Sequence, residues 1–131
     1  GSIMLVVATD APLNSRSLDR LGFRALMGLG RTGSYASNGS GDYVISFSTH
    51  PAVRKPRFSE SPVAVEELVN ASLSPLFAAV SEATEEAIYN AIFKATTVSS
   101  ARGKLRAVPY DELIRILGKH QVLNWDVTVP R

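Results

Sequence analysis

Residues Ile3 to Ala8 form an unbroken apolar run rich in branched side chains, set between a Gly-Ser pair and an Asp-Ala-Pro stop. A half-exposed strand alternates apolar and polar residues. This run does not, so the pattern predicts a strand buried on both faces. Chain ends are normally exposed and frayed, so a buried strand at the start of the sequence is the strongest constraint on the fold. One reading is a cut before Ser2, which places a hydroxyl and a free α-amine on one residue at the end of a rigid central strand. The hydroxyl is a nucleophile, and the amine is a base with a reference pKa of about 7.7–8.0. The other reading is that Gly1-Ser2 is what a cleaved affinity tag leaves behind.

Composition removes several classes. The 131 residues suffice for one domain spanning 1–131 with a real core. No apolar run approaches the ~20 residues of a membrane helix. A net charge of +2 is a weak bias, and the basic residues are scattered apart from Arg54-Lys55-Pro56-Arg57, with no aromatic stripe beside them. Neither nucleic acid nor membrane is therefore an expected partner. Without cysteine, disulfides, thiolate catalysis and zinc-finger sites are excluded. His50 and His120 are the two histidines, which leaves a His-centred triad poorly supplied and a multi-His metal site not expected.

After Asp10-Ala11-Pro12 the spacing predicts a helix from about Ser15 to Gly30, with Leu18, Leu21, Ala25 and Leu29 on one apolar face. Gly22, Gly28 and Gly30 each cost up to ~1 kcal/mol of helix propensity, which suggests close packing against the helix backbone. Arg31 to Gly41 reads as a glycine-rich loop, with Asn38-Gly39 and Ser40-Gly41 as turn signals. Tyr43 to Thr49 reads as a second strand. His50 to Ser61 reads as a surface excursion, and 62–71 is ambiguous between strand and helix start. Ser74-Pro75 predicts an N-cap and first position for a long helix to about Lys94, with Leu76, Phe77, Val80, Ala83, Ala87, Ile88, Ala91 and Ile92 at helical spacing. Glu82, Glu85 and Glu86 read as its solvated face. Thr96 to Gly103 reads as loop, Lys104 to Val108 as a short strand, and Pro109 or Tyr110 to Leu117 as a last helix closed by Gly118. The tail, with Trp125, Val127 and Val129, reads as packing on a neighbour or partly disordered.

A long helical connection suits a parallel pair of the two main strands. Their starts then share one sheet edge, which brings Ser2 close to Ser40-Gly41-Asp42. Taken by itself that tripeptide is also a plain turn leading into a strand.

These residues carry a resemblance. Gly1-Ser2-Ile3-Met4 through Val7-Ala8-Thr9-Asp10-Ala11-Pro12-Leu13 resembles the start of the β-chain in the DmpA-type aminopeptidases, the family of L-aminopeptidase/D-esterase-amidases and β-peptidyl aminopeptidases. Gly30-Arg31-Thr32-Gly33, Asn38-Gly39-Ser40-Gly41-Asp42 and Phe47-Ser48-Thr49 resemble the next motifs in the same order. Leu76-Phe77, Glu82-Ala83-Thr84-Glu85-Glu86-Ala87, Asn90-Ala91 and Val108-Pro109-Tyr110-Asp111 extend the match. It is strong over 1–49 and 73–97, and weaker in 50–72 and after 118.

The resemblance implies a precursor that cuts itself between Gly1 and Ser2, leaving this chain as the smaller β-chain beside an α-chain. It implies an α/β fold: part of a four-layer αββα sandwich, incomplete without the α-chain. Ser2 is implied as the nucleophile of an amide hydrolase that uses no cofactor. Ser40 and Asp42 are implied as the pair that orients and tunes it, the second position being Asp or Glu in the family. An asparagine and a carboxylate of the α-chain are implied as the oxyanion donor and the anchor for the substrate's amine. Peptide, amide or ester substrates and a higher oligomer of αβ pairs are expected, in a cytoplasmic or periplasmic setting that the residues leave open. Two other readings stand beside it. One is an acyl transferase of the ornithine acetyltransferase kind, disfavoured because those proteins use threonine where this chain has Ser2. The other is a non-catalytic scaffold domain.

Overall fold

The computed structural model describes residues 1–123. The tail residues Trp125, Val127 and Val129 lie outside them. The described residues fall into two units, Gly1–Tyr89 and the stretch from Asn90 onward.

The first unit is built on a βαβ motif. Strand β1 (Met4–Thr9) runs parallel to β2 (Tyr43–Ser48) in the register Met4↔Tyr43 to Thr9↔Ser48. A parallel pair cannot be joined by a tight turn, and helix α1 (Ser15–Arg31) makes the crossover. Asn14 caps α1, its side-chain oxygen accepting from the Ser17 N–H at 2.8 Å. Gly33, at φ +93°, ends it by donating its N–H to the Gly30 carbonyl. That left-handed position after a helix favours glycine because no Cβ has to be accommodated.

The expected apolar face of α1 forms the core. Leu21, Ala25 and Leu29 are buried, together with Leu13, Leu73 and Val80, while Leu18 packs against this cluster. Two of the three α1 glycines sit at close approaches. A Cβ at Gly22 would lie 2.7 Å from Ser46 Oγ and 3.2 Å from Val44 on β2. A Cβ at Gly28 would lie 2.5 Å from the Ser81 carbonyl oxygen and 2.9 Å from Thr84 Cβ. One helix thus meets the sheet at Gly22 and helix α2 (Ser74–Phe93) at Gly28, on faces roughly 120° apart. Ser81 Oγ donates to the Arg24 carbonyl at 3.0 Å at the same crossing, and the Arg24 guanidinium lies 4.1 Å from the centre of the Phe77 ring. Gly30 has open space at its Cβ position, so close packing does not account for it.

Several expectations are corrected. β1 is not buried on both faces. Leu5 and Val7 turn inward with Val44, while Val6 (66% exposed) and Met4 stand out beside Tyr43, Ile45 and Phe47. The reason is that α1 covers one face only, and the outer face is apolar on both strands. The long helix has Ser74 as its first residue rather than its cap. Its apolar residues are divided: Val80 is buried while Ala83, Ala87 and Ile92 are exposed, and Thr84 enters the core with its hydroxyl bonded to the Val80 carbonyl at 2.7 Å. Residues 62–69 are neither strand nor helix; Leu68 donates its N–H to the Pro12 carbonyl at 2.9 Å, and a single 3₁₀ turn follows at Asn70–Ser72. Glu85 accepts an ion pair from Arg31 at 2.8 Å.

In the second unit, 96–103 is not a loop. β3 (Val98–Ser100) and β4 (Gly103–Leu105) form an antiparallel hairpin whose tight turn needs Gly103 at φ +130°. Helix α3 (Tyr110–Lys119) runs through Gly118 rather than stopping at it. Its left-handed closing residue is Gln121, at φ +55°, with Gln121 N–H on the Gly118 carbonyl and Val122 N–H on that of Leu117. The Arg115 guanidinium beside Glu112 holds that exposed carboxyl below its usual range.

Gly28→Ala is expected to destabilise the full-length protein by about 1–3 kcal/mol, because the Ser81 backbone cannot retreat without moving α2. Gly30→Ala, with open space, is expected to stabilise it by up to ~1 kcal/mol through helix propensity. Chemical denaturation of both variants checks the pair. Equal effects would show that close approach at Gly28 does not matter.

Candidate active site

The β1–β2 register decides what gathers at the N-terminal edge of the sheet. With Met4 opposite Tyr43, Ser2 is carried to the level of Gly41 and Ile3 to that of Asp42. Tyr43 N–H donates to the Ile3 carbonyl at 3.0 Å, so the pairing reaches the residue that follows Ser2. Asp42 then accepts the Ile3 N–H on Oδ1 at 3.2 Å. A turn over Asn38-Gly39, closed by Ser40 N–H on the Ser37 carbonyl at 2.7 Å, delivers Ser40 to the same place.

Three contacts define the cluster. Ser2 Oγ accepts the Gly41 N–H at 3.0 Å. Ser40 Oγ lies 2.8 Å from Asp42 Oδ1 and 2.5 Å from the Gly1 carbonyl oxygen. Ser40 has one proton, so it donates to one of these two acceptors at a time. Gly1 is joined to Ser2, so the Ser2 nitrogen is an amide in this structure. Asp42 Oδ2 is buried and has no hydrogen-bond partner. A buried acceptor without a donor costs about 1–3 kcal/mol, so this oxygen is set to receive a donor that the described residues do not supply.

A cavity of about 280 Å³ opens beside the cluster, between Gly1, Ser2, Ser40 and Asp42 on one side and Leu29 and the segment 33–37 on the other. The three residues expected from sequence, Ser2, Ser40 and Asp42, are therefore brought together with Gly1. Two contributors were missed. The Gly41 N–H is a backbone group and has no residue-type signal, although an alkoxide developing on Ser2 would be stabilised by it. The wall at 33–37 reads in sequence as plain loop. His50 lies elsewhere, its Nδ1 accepting the Ala52 N–H at 3.1 Å. No group of three His, Asp or Glu side chains among the described residues is placed to hold a metal ion, and no described helix is long and apolar enough to cross a membrane.

Ser2 thus lies at the mouth of β1 in a two-stranded parallel sheet backed by α1. The chain matches the structure of the L-aminopeptidase D-Ala-esterase/amidase from Ochrobactrum anthropi, described as a prototype for the serine aminopeptidases and a new variant of the N-terminal-nucleophile hydrolase fold. The TM-score is 0.80 at 33% identity, over 92% of this chain and 34% of that one. The PH0078 protein from Pyrococcus horikoshii OT3 matches with a TM-score of 0.83 at 42% identity, again over 92% of this chain and 34% of its own. By sequence, the β-peptidyl aminopeptidase BapA of Sphingosinicella microcystinivorans is 41% identical over 124 residues, 94% of this chain and 31% of the relative. The chain belongs to peptidase family S58, whose family model matches residues 1–106. It spans about a third of the length of these relatives.

Asp42→Ala leaves the Ile3 N–H unpaired and is expected to cost about 1–3 kcal/mol of stability. Asp42→Asn, which keeps the Oδ1 acceptor, is expected to return most of that loss. Denaturation midpoints of the two variants of the full-length protein check it; equal losses would mean that charge, not the hydrogen bond, is what the site needs.

Proposed function

We propose that this chain carries the nucleophile of a serine aminopeptidase or amidase, released by self-cleavage of the Gly1–Ser2 bond and completed by a larger α-chain of the same precursor. The observation that carries the reading is the meeting of Ser2, Ser40 and Asp42, with Ser40 Oγ 2.5 Å from the Gly1 carbonyl oxygen. That oxygen belongs to the bond that would break.

In the self-cleavage step, Ser2 Oγ attacks the Gly1 carbonyl carbon and loses its proton, and the carbonyl oxygen becomes an oxyanion. Ser40 O–H is placed to donate to that oxyanion. Return of the electron pair expels the Ser2 nitrogen, which takes up the proton that Oγ gave up, and leaves Gly1 esterified on Ser2 Oγ. Water hydrolyses the ester. The Ser2 nitrogen is then a free amine, one residue from the amide that Asp42 already holds. The nearby Asp42 carboxylate favours that amine in its charged form electrostatically.

Hydrolysis reuses the same groups. The neutral Ser2 amine takes the Oγ proton, directly or through Ser40, as Oγ attacks the substrate carbonyl. It then returns the proton to the leaving amine, and water releases the acyl group. The remaining oxyanion donor and the acid that holds the substrate's amine are expected from the α-chain. The apolar outer face of the β1–β2 sheet supports such a partner: Met4, Val6, Tyr43, Ile45 and Phe47 form one exposed surface, larger than scattered surface residues explain. Relatives named as β-peptidyl aminopeptidases and as an L-aminopeptidase D-Ala-esterase/amidase support peptides, amides or esters as the substrate class.

Intact mass and N-terminal sequencing of the full-length gene product test the reading. The wild type is expected as two chains with Ser2 newly terminal, and Ser2→Ala as one. Ser40→Ala is expected to slow cleavage by about 10²–10³-fold, the usual cost of one oxyanion donor. Cleavage at this bond in Ser2→Ala would sink the mechanism.

A further inference from the structure

We propose that the loop 33–37, with Tyr35 at its centre, forms the pocket wall for the side chain of the residue being released, and that the Tyr35 ring favours N-terminal residues with an apolar side chain over glycine. The inference rests on the nucleophile reading above.

The argument starts from Gly1. One Oγ attacks two carbonyls in turn: that of Gly1 during maturation and that of the substrate during turnover. The substrate's acyl carbonyl must therefore occupy the place of the Gly1 carbonyl, with Ser2 Oγ on one side and Ser40 Oγ on the other. Its α-carbon then lies where the Gly1 α-carbon lies. A Cβ built on Gly1 meets nothing within 4 Å. This chain therefore leaves room for a side chain at the position that the precursor fills with glycine.

The cavity receives that side chain. It borders Gly1, the position that the substrate residue takes over, and Leu29 with Gly33, Ser34, Tyr35, Ala36 and Ser37 form the wall facing it. Its volume, about 280 Å³, falls just under the ~300–1,000 Å³ of drug-sized ligand pockets. It suits one residue rather than an extended peptide. Asp42 is the one carboxyl among the lining side chains, and its Oδ1 is engaged with Ile3 and Ser40. The loop residues 33–37 themselves carry no charge.

The loop is held in a defined path. Gly33 and Ala36 both take left-handed backbone, at φ +93° and φ +49°. For Ala36 this costs about 1–2 kcal/mol, a strain that marks the segment as specifically shaped. Tyr35, between them, is 86% exposed and takes no part in the core. An aromatic ring on the rim of a residue-sized cavity offers apolar contact to a side chain entering it.

The test compares kcat/KM for the p-nitroanilides of glycine, leucine and phenylalanine, using the full-length protein with its processing verified by mass. Tyr35→Ala is expected to lower the leucine-to-glycine and phenylalanine-to-glycine ratios by about tenfold, the low end of what a lost apolar contact yields. Tyr35→Phe, which keeps the ring, is expected to hold both ratios within about twofold of wild type. Unchanged ratios in Tyr35→Ala, or an equal fall on all three substrates, would overturn the loop proposal, since a merely structural residue acts uniformly. Tyr35→Leu serves as a second variant with an apolar wall of different shape; it is expected to move the phenylalanine-to-leucine ratio by more than threefold, and no movement counts against the proposal. Failure of the nucleophile reading looks different: Ser2→Ala would then still be processed and would still release p-nitroaniline.

Discussion

The parallel pairing of β1 with β2 sets an offset of 39 residues between partners, and the site inherits it. Ile3 with Asp42, Gly1 with Ser40 and Ser2 with Gly41 are contacts at separations of 39. A slip of one residue would turn every side chain of β1 to the opposite face and carry Ser2 away from the Gly41 N–H. The register is protected by what each face buries. Leu5 and Val7 need the cover of α1, and Gly22 lets α1 approach close enough to give it. Packing energy along the strands is thus what holds two serine hydroxyls and a carboxylate within hydrogen-bonding distance of their partners.

The same dependence runs through α1. It is the crossover that a parallel pair requires, its Gly22 rests on the sheet, and its Gly28 rests on α2. Its end at Gly33 begins the loop that lines the cavity and returns the chain to Ser40. Catalytic groups at the edge of a sheet are placed well when the turn feeding them leaves a rigid helix, because the helix end fixes where the loop starts. Here the loop also closes on itself between Ser37 and Ser40, so Ser40 is fixed from both directions.

What the residues disclosed beforehand follows physical lines. An unbroken apolar run revealed β1, helical spacing revealed α1, and a run of branched and aromatic residues revealed β2. The helical length between two apolar runs pointed to a parallel pair, and the parallel pair pointed to Ser2 beside Asp42. The two-sided burial of β1 did not hold within this chain, although the apolar pattern that suggested it is real: Val6 and Ile45 are exposed because α1 covers one face. Other features had no side-chain signature. The Gly41 N–H is backbone. Of the β3–β4 hairpin, the short strand expected at Lys104 to Val108 overlaps β4, while β3, short and fully exposed, has no alternation to read. Gln121 takes the left-handed position after α3 although glycine is the usual choice, and Gly118 misdirected the reading because glycine within a helix costs only ~1 kcal/mol. The cavity wall at Tyr35 depends on how a loop folds over a neighbouring strand, which no local pattern encodes.

Asp42 links the chemistry to the missing cover. Its Oδ1 is occupied by the Ile3 N–H and Ser40, while its Oδ2 is buried and unpaired. A carboxylate left half-satisfied away from water is destabilising unless a donor arrives. In the proposed reaction the freed Ser2 amine gains a charged form, which the Asp42 carboxylate favours. That charge holds back the base, because an ammonium cannot accept the Oγ proton. A second layer over the outer face of the sheet would raise the local cost of that charge and bring the amine back toward its neutral, proton-accepting form. On the proposed reading, the apolar residues on that face and the half-paired carboxylate at its edge answer one requirement, dry surroundings for the Ser2 amine.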